Sequence, residues 1–214
     1  MDTIQTLSLA LGTAWTSGIN LYATVAALGI AGRAGMIQLP ENLHVLMDPL
    51  VIGVACVMYV IEFIADKVPY FDSGWDVIHT FIRVPAGAIL AARILGDLNP
   101  PLELAAILAG GSVALAAHGT KAATRLAINM SPEPFSNWVA SIGEDLTVFG
   151  GIWLSFNHPW IMVLLVLGFM ALFIWLTPKL FGLIRRGIQA IRARWRGGTG
   201  QMPASGPPPL ESKS

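Results

Sequence analysis

Hydrophobic positions in this chain come in long, nearly uninterrupted runs, and polar residues gather between the runs or at helical spacing within them. A helix needs about 20 residues to cross a hydrocarbon core of about 30 Å. Six runs approach that length, which predicts an all-α, polytopic membrane bundle of about six transmembrane helices. The runs cover residues 3–32, 49–65, 77–95, 104–129, 137–157 and 160–177.

The first run contains no charged residue and is too long for an upright span. Thirty residues of continuous helix would measure about 45 Å. The stretch from Gly12 to Asn20 is dense in Gly, Ser and Thr, which loosen a helix or bond to its backbone. Either the helix is broken there, freeing backbone groups for a ligand, or it is one tilted helix whose small residues allow close packing.

Two pairs of short motifs resemble each other across the chain and predict a duplication. One pair is Ser17-Gly18-Ile19-Asn20 with His118-Gly119-Thr120-Lys121, and the other is Asp48 to Gly53 with Asp145 to Gly150. The halves would cover about 3–98 and about 102–178, with three spans each. Because three is odd, the second half would enter the membrane from the opposite face as an inverted repeat. Chance matching of apolar sequences is the alternative.

Composition agrees with a membrane protein. The chain is 54% hydrophobic and 12% charged, with a mean hydropathy of +0.63, values typical of polytopic membrane proteins. The net charge is zero, so nucleic acid is not an expected partner. The single cysteine, Cys56, excludes an internal disulfide and a cysteine-based metal cluster.

The basic residues concentrate after the last run. Residues 179–196 place apolar side chains on one helical face and arginines on the rest. This pattern predicts a basic amphipathic helix that binds anionic lipid on the inner leaflet, or an extension of the last span into the cytoplasm. The positive charge places the C-terminus in the cytoplasm, and six spans place the N-terminus there too. Residues 197–214 are rich in Gly, Pro and Ser and predict a disordered tail.

Polar groups inside the first and fourth runs predict a site for a small solute near the bilayer midplane. The lysine and arginine of the fourth run would favour an anionic or zwitterionic substrate. The predicted substrate-binding residues are Ser17, Gly18, Asn20, His118, Gly119, Thr120, Lys121 and Arg125.

Charged residues inside the second to fifth runs predict a network within the membrane. Charges there are costly and usually face the bundle interior or one another. Asp76, His79 and Arg83 share one helical face, because they are spaced i, i+3 and i+7. Ion pairs among these residues could have a functional role, or they could only stabilise the helix bundle. The predicted members are Asp48, Glu62, Asp66, Asp76, His79, Arg83 and Asp145.

No known metal-ligand spacing and no enzyme motif occurs within a span, so neither a metal nor a cofactor is expected. The favoured hypothesis is a transporter or channel for a small solute. A lipid-modifying enzyme working at the membrane interface is the second hypothesis, and a non-catalytic scaffold is the third. Gly29, Gly32 and Gly35 have the spacing of helix-packing residues, which is compatible with a homo-oligomer.

The segment Ser17-Gly18-Ile19-Asn20-Leu21-Tyr22-Ala23-Thr24, together with His118-Gly119-Thr120-Lys121-Ala122-Ala123, resembles a bacterial family of small integral membrane proteins. That family is defined only as a domain of unknown function. The resemblance covers about residues 3–178 and implies a bacterial inner-membrane protein. It implies no activity, substrate or catalytic residue.

Overall fold

The computed structural model describes residues 2–68, 71–129 and 134–197. This part of the chain is all-α, as predicted, and contains no strand. Seven α-helices and one 3₁₀ helix, Glu41–Met47, follow in chain order. The α-helices are α1 (Thr3–Ile19), α2 (Leu21–Arg33), α3 (Pro49–Ala65), α4 (Phe71–Ile94), α5 (Pro100–Asn129), α6 (Pro134–Asn157) and α7 (Pro159–Gly197).

The first run is broken at Asn20, so the single tilted helix is wrong. Asn20 has extended backbone angles, φ −147° and ψ 101°, and separates α1 from α2. Its side-chain oxygen accepts a hydrogen bond from the backbone N–H of Ala23 at 2.9 Å, which caps α2. Its own carbonyl accepts from the hydroxyl of Thr24 at 2.8 Å. The polar groups of Asn20 therefore stabilise the break locally.

Three helical segments are long and apolar enough to cross a bilayer: Gly74–Ile94, Pro100–Asn129 and Pro159–Lys179. A fourth crossing results if the 3₁₀ helix and α3, bent by 64°, count as one span. The break at Asn20 leaves α1 with 17 residues and α2 with 13, each short for a crossing. Length and composition thus assign three to four spans within the described residues.

The distribution of side chains is inverted relative to a water-soluble protein. Large apolar side chains lie on the outside, among them Phe81 at 79% and Leu50 at 74% exposure, whereas Arg83 and Arg125 are fully buried. In water such an apolar surface would be unfavourable. In a bilayer the acyl chains cover it, and buried charges face one another. The chain is therefore a helical membrane protein.

Helix α1 packs against α4, α5 and α6 and brings them together. A side chain at Gly18 would collide with the backbone of Ala114 and with the Cβ of Ala117, both on α5. Gly87 on α4 faces Ala114 and Ser17 at similarly short range. Small residues thus allow the three helices to approach closely, which is how membrane helices commonly pack.

The chain divides into two compact units, residues 1–171 and 172–214. The first contains the bundle. In the second, the helix continues through Pro178 to Gly197, and the ammonium of Lys179 lies 3.0 Å from the ring centre of Trp175. Residues 179–196 are therefore helical, while their binding to lipid stays a prediction. The predicted tail, apart from Gly197, lies outside the described residues.

Candidate functional site

Seven charged side chains from four helices form one buried cluster, called here the ion network. The six most buried members have side chains no more than 3% exposed, and that of Glu144 is 15% exposed. Each member lies within 4.0 Å of an opposite charge, which reduces the cost of burying it. The members are Glu62 on α3 and Asp66 at its C-cap, Asp76 and Arg83 on α4, Lys121 and Arg125 on α5, and Glu144 on α6.

Arg83 joins α3, α4 and α5. One terminal nitrogen of its guanidinium donates to Glu62 at 2.5 Å. The other donates to Asp76 and to Nδ1 of His118, at 3.2 Å each. A guanidinium has several donors in a fixed planar arrangement, so it can bind three acceptors at once.

Lys121 lies at the centre of the ion network. Its ammonium is 3.2 Å from Glu62, 3.0 Å from Asp66 and 3.3 Å from Glu144. Asp76 lies farther away, at 3.9 Å. All four carboxylates thus approach one ammonium, and the removal of this charge would leave several of them repelling one another.

Arg125 links the network to α6. Its guanidinium binds Glu144 through both carboxylate oxygens, at 2.9 and 2.8 Å, the two-point geometry that makes arginine–carboxylate pairs strong. It also approaches Asp66 at 3.3 Å and donates to the carbonyl of Asn137 at 3.1 Å. The side-chain amide of Asn137 in turn donates to Asn129 at 3.0 Å.

The hydrogen bonds of the two inner histidines locate one ring proton on each. Nδ1 of His118 accepts from Arg83, so the proton of His118 is on Nε2, which faces the hydroxyl of Thr80 at 2.7 Å. In His79, Nδ1 faces the carbonyl of Trp75 at 2.8 Å and must donate to it. Its Nε2 faces the hydroxyl of Tyr22 at 3.2 Å, a group that can donate or accept. His118 is therefore neutral in this arrangement.

A pocket of about 340 Å³ lies beside the ion network. Its lining is mainly apolar and includes the charged residues Lys121 and Glu144 and three threonines. This volume and this mixture of apolar walls with a few polar groups are typical of small-molecule sites. The lining residues are Trp15, Ile19, Ala117, Thr120, Lys121, Thr124, Ala140, Gly143, Glu144, Thr147 and Phe169.

Of the eight predicted substrate-binding residues, Thr120 and Lys121 line this pocket. Ser17 is buried and its hydroxyl donates to the carbonyl of Ala14 at 2.9 Å. Gly18 packs against α5, and Asn20 caps α2. His118 and Arg125 are buried within hydrogen bonds of the cluster, while a Cβ at Gly119 would meet no atom within 4 Å.

Two of the predicted network residues lie elsewhere, and a third is only adjacent. Asp48 is exposed and accepts from the backbone N–H of Leu50 at 2.8 Å, as the N-cap of α3. Asp145 accepts from the hydroxyl of Tyr59 at 2.8 Å. His79 lies close to the network but bonds to Trp75 and Tyr22. Glu62, Asp66, Asp76 and Arg83 do come together as predicted.

The sequence analysis missed Glu144 and Asn137. Both lie on α6 with the buried Ser141 and Val148, at positions i, i+4, i+7 and i+11 counted from Asn137. This spacing places the four residues on one helical face. The polar stripe was therefore readable from the sequence.

The predicted repeat motifs have different local structures. Asp48 begins α3, whereas Asp145 lies inside α6. Likewise, Asn20 lies at a helix break, whereas Lys121 lies within the continuous α5. If the two halves are a repeat, they would share the order of their spans, but they do not share the local conformation of these motifs.

Metal binding finds no support in the part of the chain described. No group of three or more His, Cys, Asp or Glu side chains there is arranged to hold a metal ion. The carboxylates of the ion network instead face arginine and lysine. The network is therefore a set of ion pairs.

Comparison with known proteins gives a family but no activity. No curated protein and no solved structure matches the chain. Residues 7–179 match a family described as a domain of unknown function, DUF4126. This match includes all of the ion network and the pocket. The chain therefore belongs to the DUF4126 family.

Proposed function

We propose that the protein is a membrane transporter for a small solute, with its binding site in the pocket beside the ion network. The observation that carries this proposal is the position of Lys121 and Glu144. Both belong to the ion network and both line the pocket. A solute in the pocket would therefore contact charges that are connected to α3, α4 and α5.

The pairing of the charges favours a zwitterionic solute over an anionic one. Every cation of the ion network contacts at least two carboxylates, so no positive charge is left over to attract an anion. A small zwitterion carries one charge of each sign. It could bind Glu144 with its cationic group and Lys121 with its anionic group while they lie 3.3 Å apart.

The proposed topology has six crossings. In it, α1 and α2 form one broken span, and α3 to α7 supply five more. Three spans per half would make the second half an inverted copy of the first in span order. In this proposal the membrane is a bacterial inner membrane and both termini are cytoplasmic, an orientation that the basic residues 179–196 support. These residues would bind anionic lipid.

Burial weakens the case for a lipid-modifying enzyme. That hypothesis needs Asp72, Asp76, His79 and Arg83 at the membrane interface, within reach of lipid headgroups. The side chain of Asp72 lies outside the described part of the chain. The other three residues are no more than 3% exposed and bond to neighbouring helices.

Filling the pocket tests the proposal without changing a charge. Gly143 lines the pocket and Gly150, two turns later on α6, does not; a Cβ at either would meet no atom within 4 Å. We expect proteoliposomes to take up a mixture of labelled amino acids, which are small zwitterions. Gly143→Leu should abolish this uptake and Gly150→Leu should retain it.

Equal uptake by the two variants would contradict the proposed site. No uptake above empty liposomes by the folded wild-type protein would contradict transport of this class of solute.

A further inference from the structure

The ion network contains one more negative group than positive groups. Its four carboxylates are Glu62, Asp66, Asp76 and Glu144, and its three cations are Arg83, Lys121 and Arg125. His118 adds no charge, because Arg83 donates to its Nδ1. With every carboxyl ionised, the network would therefore carry one uncompensated negative charge within an apolar bundle.

Lys67 does not supply the missing positive charge. It lies after α3, and its ammonium donates to the carbonyl of Phe63 at 2.8 Å and to the hydroxyl of Ser141 at 3.4 Å. It also lies over the Phe63 ring, 2.8 Å from the ring centre. The carboxylates whose charges act on it include Asp145, which is outside the network, as well as Asp66 and Glu144. Counting Lys67 and Asp145 together adds one charge of each sign and leaves the imbalance unchanged.

An uncompensated buried charge is costly, and carboxyl groups that share a site avoid it by keeping a proton. Three carboxylate oxygens of the network are buried and have no hydrogen-bond partner: one each on Glu62, Asp66 and Asp76. The described residues offer no metal-binding group of three or more side chains. A proton is therefore the cation that fits this imbalance.

Among the four carboxyls, Asp76 has the weakest ion pairs. Glu62 has a contact of 2.5 Å, Asp66 one of 3.0 Å and Glu144 one of 2.8 Å. The contacts of Asp76 are 3.2 Å to Arg83 and 3.9 Å to Lys121. Protonation of Asp76 thus gives up the least ion-pair energy.

Charged or titratable groups surround Asp76 on every helix of the cluster except α1, which has no charged side chain. The groups are Tyr22 on α2, through His79; Glu62 on α3 and Asp66 at its C-cap; His79 and Arg83 on α4; His118, Lys121 and Arg125 on α5; and Glu144 on α6.

We propose that the ion network holds one exchangeable proton at neutral pH and that Asp76 carries it. With this proton the network has three negative and three positive charges. If the protein is the transporter proposed above, the proton gives it a coupling ion: Glu144 and Lys121 connect the pocket to the group that binds and releases it. The proton site itself does not depend on transport.

Infrared spectroscopy tests the proton site directly. A protonated carboxyl has a carbonyl stretching band that shifts on exchange into D₂O, and a carboxylate lacks this band. We expect one such band from the full-length protein in lipid nanodiscs at neutral pH, and its loss as the pH rises. Asp76→Asn should remove it. The matched surface variant Asp97→Asn, at an exposed position between α4 and α5, should keep it.

Two results would overturn the inference: no protonated carboxyl in the wild type at neutral pH, or a band of full amplitude in Asp76→Asn. If Asp76→Asn fails to fold, the wild-type titration alone decides whether an exchangeable proton exists. The melting temperature of the folded variants is a second test of the proton site. Asp76→Asn, which mimics the neutral acid, should melt close to the wild type, whereas Asp66→Asn should melt lower.

Failure of the proton site can be told apart from failure of transport. Amino-acid uptake without a protonated carboxyl would overturn the proton site, and the transport proposal would still hold. A protonated carboxyl that Asp76→Asn removes would support the proton site, even if no uptake occurred and the transport proposal failed.

Discussion

Arg83 illustrates how much each charged side chain depends on its partners. It is fully buried and binds Glu62, Asp76 and His118. Burying a guanidinium without partners would cost far more than a folded protein can tolerate. With its partners present, most of this cost is recovered, but each partner then depends on Arg83 in turn.

Arg83→Met should destabilise the protein strongly, by about 3–5 kcal/mol, because it removes the shortest ion pair of the buried Glu62 and leaves the network with one positive charge fewer. The measurement is the free energy of unfolding in mixed micelles. Arg93→Met, at an exposed position on the same helix, should change it by less than about 0.5 kcal/mol. Similar losses from the two variants would contradict the structural role of the network.

Sequence spacing predicted which residues share a face, but not all of their partners. The stripe of Asp76 and Arg83 was predicted from helical geometry, whereas the pairing of Arg83 with Glu62 depends on how α3 and α4 meet. Asp145 was predicted as a network member, and in the structure it bonds to Tyr59. The polar stripe that includes Glu144 could be read from the sequence, but not the fact that it faces α5.

At the scale of whole elements, composition left two alternatives for the first run, a break and a tilted helix. The structure has the break, and its position at Asn20 is within the stretch indicated by composition. Gly, Ser and Thr only permit a break. What fixes its position is a side chain able to cap the next helix. Asn20 does so through Ala23, which also explains why this residue type is found inside an apolar run.

Asn20→Ala should therefore destabilise the protein by about 1 kcal/mol through the lost cap, and Asn20→Ser should retain most of the stability. Thermal unfolding of the two variants side by side provides the measurement. If Asn20→Ala and Asn20→Ser were equally stable, the cap would not account for the residue.

At the scale of the whole molecule, the apolar exterior and the charged interior make a bilayer the natural solvent. The number of crossings depends on whether α1 and α2 act as one broken span and on whether α3 and α6 also cross. Composition could predict the membrane class and the helices. The pairing of helices and the pocket depend on close contacts through small residues such as Gly18 and Gly87, whose partners a single sequence does not specify.

The proposed topology, with six crossings and cytoplasmic termini, would place the exposed residues Val68 and Asp97 on opposite sides of the membrane. In a Cys56→Ala background, Asp97→Cys should react with an impermeant thiol reagent added to intact cells. Val68→Cys should react only after the membrane is permeabilised. Reaction of both positions from the same side would contradict the proposed topology.

The most direct test of the central claim is whether the pocket opens to each side of the membrane in turn. Thr120 is exposed and lines the pocket, whereas Leu115, on the same helix, is 51% exposed on the apolar exterior. In the Cys56→Ala background, Thr120→Cys should react with impermeant thiol reagents from either side, and Leu115→Cys from neither. Reaction of Thr120→Cys from one side alone, or from none, would contradict a transporter.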